Sequence, residues 1–81
     1  MKEVKRSMAD PMGKTRRANG ARFREMRSRA GLTKELAAIR LGCSYSTLAN
    51  YESGRTDPTA IVLITMRRVY GCTASDLLGV P

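Results

Sequence analysis

Eighty-one residues allow one small domain around one core. Fifteen Lys and Arg against seven Asp and Glu give a formal charge of +8 and a pI near 10.4, which implies a polyanionic partner, nucleic acid before a membrane surface or an acidic protein. Aromatic residues at 5% disfavour a β-sandwich, and two distant Cys with no His exclude four-ligand zinc, so no metal and no cofactor are expected.

No apolar run approaches the ~20 residues of a membrane span, and the charged N-terminus lacks the apolar region of a signal peptide, so a cytoplasmic protein with no membrane partner is expected. Residues 1–18 show no sustained apolar period and are interrupted by Pro11 and Gly13. They read as a flexible basic N-terminal arm ahead of a folded domain at 19–81. Residues 1–29 hold ten basic and three acidic groups, and the remainder five and four, so the arm and first helix carry most of the field. The cluster Lys14, Arg16 and Arg17 tilts the arm towards DNA contact; the other reading is a terminal stretch with no role.

Asn19-Gly20 predict the start of a first helix at 21–30. Thr33 caps a second at 34–41, and Ser44 a third at 45–53. Asp57 followed by Pro58 opens a fourth at 58–70, and Thr73 with Asp76 forms a capping box for a short fifth. Gly31, Gly42, Gly54, Gly71 and Gly79 follow the predicted ends, where a left-handed residue commonly closes a helix. Five helices on short connections predict an all-α domain.

The segment KELAAIRLGCSYSTLANYES, residues 34–53, carries the functional pattern. Ala38 is small where two helices would cross, Gly42 follows four residues later, and Leu48 and Tyr51 lie on one side of the third helix. Those are helix-turn-helix spacings. Tyr45, Ser46, Ala49, Asn50 and Ser53 form the opposite face. In a major groove, Asn pairs bidentately with adenine, Ser and Thr bond donors or acceptors, and Ala touches the thymine methyl. Such a face need not be basic, because phosphate attraction can come from elsewhere.

From Arg22 to Leu78 the chain resembles the Cro/cI-like, or XRE, helix-turn-helix family, through RFREMRSRAGLT, ELAAIRLGCSYSTLANYESGRTDP and YGCTASDLLG. The resemblance implies a compact five-helix Cro/cI repressor-like DNA-binding domain. It implies a structural salt bridge between Arg27 and Glu52, and base reading by Tyr45, Ser46 and Asn50, with Thr47 and Ala49 beside them. It also implies phosphate contacts from Arg22, Lys34, Ser44, Arg55 and Thr56. Lys34 stands where most members have Gln. Ala37 stands where Leu is usual, with Leu36 before it, so either the second helix is rotated or Leu36 packs at an edge. Ile61, Val62, Ile64 and Val69 make the fourth helix apolar on more than one side, which with Leu77, Leu78 and Val80 points to a homodimer interface.

The expected function is a sequence-specific DNA-binding transcriptional regulator of phage, plasmid or bacterial origin. It is expected to repress by occupying a pseudo-palindromic operator on double-stranded DNA as a dimer. An antitoxin with a toxin partner, or a restriction-modification controller, would use the same domain. A basic RNA-binding module is less well supported, because Phe23, Tyr51 and Tyr70 occupy core-type positions and leave only Tyr45 for base stacking. No enzyme is expected: the chain has no His, no Cys with a candidate base and no phosphate-binding Gly loop.

Overall fold

The computed structural model describes residues 11–79, which contain five helices and no strand. They are α1 (Pro11–Arg29), α2 (Lys34–Leu41), α3 (Tyr45–Ser53), α4 (Ala60–Tyr70) and α5 (Ala74–Leu78). Four of them start on a hydroxyl. Thr33, Ser44, Thr59 and Thr73 stand in extended backbone and accept from the N–H three residues on, at 3.2, 3.0, 3.3 and 3.1 Å. Each such cap satisfies a donor that the helix itself cannot, at about 1 kcal/mol. At α5 the box is reciprocal, with the Thr73 N–H donating to Asp76 Oδ2 at 3.0 Å. Those hydrogen bonds from Thr73 lower the Asp76 pKa.

Two boundaries differ from the sequence reading. α4 is capped by Thr59 rather than Asp57, and Pro58 precedes the helix instead of opening it. Pro58 restricts Asp57 to extended backbone, and the Asp57 carboxylate is taken by Arg16 Nε at 3.0 Å. The larger correction is at α1. The break set between residues 18 and 19 falls inside one continuous helix, so residues 11–18 are helical and not an arm. Residues 1–10 of the predicted arm lie outside the described residues.

Gly20 explains the misreading. It lies inside α1, where that helix crosses the end of α3 backbone to backbone. A Cβ at Gly20 would stand 2.5 Å from the Glu52 carbonyl oxygen and 2.6 Å from that of Tyr51. Gly54 meets α1 from the other chain segment. Its φ is +81°, and a Cβ there would stand 2.6 Å from Arg17 Cα and N. An interior Gly costs a helix roughly 1 kcal/mol, and here it is what permits the crossing.

α1 packs on α3 and α5, and α2 packs on α3 and α4. Phe23 and Met26 of α1, Ala37, Ala38 and Leu41 of α2, Leu48 and Tyr51 of α3, Met66 and Tyr70 of α4 and Leu77 of α5 form the core. Ala37 is fully buried while Leu36 is exposed, so Leu36 sits at an edge. Leu77 is core, which removes it from the predicted dimer surface; Val80 lies outside the described residues. Cys43 and Cys72 are free thiols packed at the margin of this core, and burial pushes both pKa values up. No described helix is long and apolar enough to cross a membrane.

Gly20→Ala tests the crossing. Propensity alone would stabilise α1 by up to about 1 kcal/mol. The close contact predicts the opposite sign, a loss of roughly 1–3 kcal/mol in urea unfolding.

Candidate nucleic-acid interface

Gly42, Cys43 and Ser44 join α2 to α3. Gly42 takes φ +75°, and the Cys43 N–H returns to the Ala38 carbonyl at 3.0 Å. The left-handed residue turns the chain within three positions, so α2 and α3 share one core face through Ala38 and Leu48. Leu48 and Tyr51 point inward and the opposite face of α3 points out. Tyr45, Ser46 and Ser53 are exposed, and Thr47, Ala49 and Asn50 are half-buried. Ser44 is spent on the cap, and its hydroxyl also donates to Thr47 Oγ1 at 2.9 Å. The Ser53 hydroxyl donates back to the Asn50 carbonyl at 3.2 Å.

Both ends of this face gather groups suited to phosphate. Lys34 and Tyr45 open α2 and α3, and the turn brings them together, with Lys34 Nζ 5.5 Å from the Tyr45 ring centroid. At the far end the Asn50 carbonyl is a hub. It accepts the Arg55 N–H at 2.9 Å and the Thr56 N–H at 3.4 Å. The loop after α3 is thereby folded back against the last turn of the helix, carrying the exposed Arg55 and Thr56 with it.

Arg27 fixes α3 from behind. Its Nε donates to Glu52 Oε2 at 2.7 Å and its Nη2 to Oε1 at 3.1 Å, while Nη1 donates to the Leu32 carbonyl at 2.9 Å. The side chains are 11% and 3% exposed, so the pair is protected from screening by solvent. The Glu52 hydrogen bond raises the Arg27 pKa against the opposing effect of burial. One guanidinium thus ties together α1, the α1–α2 turn and the end of α3. Tyr70 lies within the field of this pair: burial first, and then the Glu52 charge, push its phenol up. Its buried hydroxyl has no hydrogen-bond partner among the described residues.

A family described as a helix-turn-helix domain matches residues 20–78. The chain belongs to the helix-turn-helix family, and its type is XRE-like. It is also 33% identical, over 78% of its own length and 82% of the relative's, to a protein of Sinorhizobium fredii named as an uncharacterised HTH-type transcriptional regulator. No solved structure matches significantly.

Within this helix-turn-helix domain, Lys34 and Ser44 through Asn50 lie together, and the Asn50 hub adds Arg55 and Thr56. Arg22 does not join them. It is half-buried, with its guanidinium packed where a Cβ on Gly79 would fall, and Nη1 donates to Asn19 Oδ1 at 3.5 Å. It therefore seats against the C-terminal end of α5, where helix carbonyls favour a cation. Lys14 and Arg17 are exposed on α1, and Arg16 holds Asp57. The sequence reading missed the Lys34–Tyr45 contact and the Asp57 partner, since both depend on how separate elements cross.

Arg27→Met leaves the Glu52 carboxylate buried and alone, and is expected to cost roughly 3–5 kcal/mol in urea unfolding. Arg27→Lys is expected to recover only part of this, because a point charge cannot reproduce the fork. Tyr70→Phe removes the unpartnered hydroxyl and is expected to be neutral or stabilising by up to about 1 kcal/mol in the same assay.

Proposed function

We propose that this chain is a sequence-specific DNA-binding transcriptional regulator acting as a repressor, with α3 inserted in the major groove. Membership of the helix-turn-helix family and the name of the Sinorhizobium relative support DNA-binding transcription regulation. One observation carries the finer reading: an uncharged polar face bracketed at both ends by phosphate-type groups. Nine residues at ~1.5 Å each make α3 roughly 13 Å long, close to the ~12 Å width of the groove. Lys34 then meets the phosphates along one wall and Arg55 with Thr56 those along the other. Tyr45, Ser46, Thr47, Ala49 and Asn50 face base edges between them. Arg27 and Glu52 hold the helix at that depth and touch nothing outside the protein.

The operator is proposed to be a pseudo-palindrome bound by a homodimer, with half-sites about one DNA turn, roughly 34 Å, apart. Ile61 at 76% exposure and Ile64 at 48% stand three apart on α4. Ile64 also lines a groove of about 110 Å³ with Leu63, Ala74 and Leu78. Loss of that surface to a second copy would remove an apolar patch from water.

Selection from a random duplex pool tests the reading directly. Enrichment of a pseudo-palindrome is expected, and recovery of the unselected pool would end it. On the selected site, Asn50→Ala should cost roughly 1–3 kcal/mol and relax preference at one base pair, whereas Arg55→Ala should weaken all duplexes about equally. Ile61→Glu should leave the fold intact, abolish the dimer in analytical ultracentrifugation, and bind the half-site and the palindrome alike.

A further inference from the structure

The segment 11–18 precedes the span matched to the family, yet it is helical and continuous with α1. Its position is set by three contacts. Gly20 meets the carbonyls of Tyr51 and Glu52. One turn earlier, the backbone of Arg16 and Arg17 meets Gly54, so the helix runs on past the end of α3 and alongside the loop that follows it. Arg16 Nε then fastens that loop through Asp57 Oδ2 at 3.0 Å. The helix that carries the three cations is therefore fastened to the loop that carries Arg55 and Thr56 through Arg16 and the Arg16–Arg17 backbone.

They do not share one face. Lys14 and Arg17 are three apart and neighbours on the helix surface, both exposed. Arg16 is turned away from Lys14 and is half-buried against Asp57. We propose that residues 14–17 are a helix-borne second phosphate-binding element, in which Lys14 and Arg17 contact the duplex backbone just outside the half-site and Arg16 is a positioning residue for the Arg55–Thr56 loop. This rests on the reading of α3 as the groove-inserted helix. A cation on a docked helix needs no ordering of the chain when DNA arrives, unlike one on a free arm. It also keeps a fixed distance from Arg55, so it extends the footprint in one direction.

The test compares wild type, Lys14→Ala/Arg17→Ala, Arg16→Ala, Asp57→Ala and Ala18→Pro, all as the full chain. The probes are the selected duplex and a random duplex, with affinity read across a salt series and backbone protection read by hydroxyl-radical footprinting. Lys14→Ala/Arg17→Ala should lower the slope of log affinity against log salt by about 0.9 per contact, about 1.8 in all. Protection outside the half-site should disappear, with base preference unchanged. Arg16→Ala and Asp57→Ala should each lose the backbone protection that the Arg55–Thr56 loop gives, because either one releases the loop. Ala18→Pro keeps both cations but breaks the helix, and should lose the same slope, whereas a free arm would keep it. If Ala18→Pro does not fold, the double variant decides. An unchanged slope and footprint in the double variant, with wild type still selecting its site, overturns this element and leaves the proposed function standing. A wild type with no sequence preference overturns both.

Discussion

The crossing of α1 over the end of α3 is the constraint on which the rest depends. Gly20 and Arg27 lie seven residues apart, two turns along one face of α1. Both address Glu52: Gly20 admits its carbonyl, and Arg27 pairs with its carboxylate. The first contact sets how near the helices come and the second sets their register. Neither does the other's work, since backbone contact alone permits sliding and an ion pair alone tolerates a wider gap. A buried pair gives weak net stability relative to apolar packing. Its consequence here is geometric, because the fork of Arg27 also holds the Leu32 carbonyl and so the turn that leads into α2.

Charge is divided among the elements in a way that follows from the same frame. Most basic residues precede α2, while the outer face of α3 has none. The single charge of α3, Glu52, points inward and is neutralised. On the proposed reading, attraction to a polyanion and discrimination between sequences fall on different side chains. Lys34 and Arg55 stand at the junction, each at one end of the neutral face.

The local signals in the sequence were legible and the crossings were not. Thr33, Ser44 and Thr73 announce helix starts because a hydroxyl three residues before an N–H is sufficient cause. The turn at Gly42 and the inward set of Leu48 and Tyr51 follow from spacing in the same way. Gly20 failed because glycine has two meanings, punctuation and close approach, and only the partner backbone decides between them. Asp57 failed because two hydroxyl or carboxyl caps compete around Pro58, and Arg16, distant in sequence, removed one competitor. Leu77 reads as outward-facing in the sequence because only the packing of α5 on α1 buries it. The XRE-like pattern supplied the Arg27 and Glu52 pairing, which spacing alone does not encode.

This division between frame and face bears on how such a domain changes specificity. Tyr45, Ser46, Ala49 and Asn50 contribute little to the core, which on α3 is Leu48 and Tyr51. Their replacement leaves Gly20, Gly54, Arg27 and Glu52 untouched, so the depth and angle of α3 persist while its hydrogen-bonding pattern changes. Two side chains break the separation. Thr47 takes the Ser44 hydroxyl, so altering it alters the helix cap. Tyr45 carries Lys34 across its ring, so altering it moves a cation at the end of the face. On the proposed reading, Ser46, Ala49 and Asn50 are the positions where base preference can change alone. Tyr45 and Thr47 are those where preference, helix stability and phosphate contact change together.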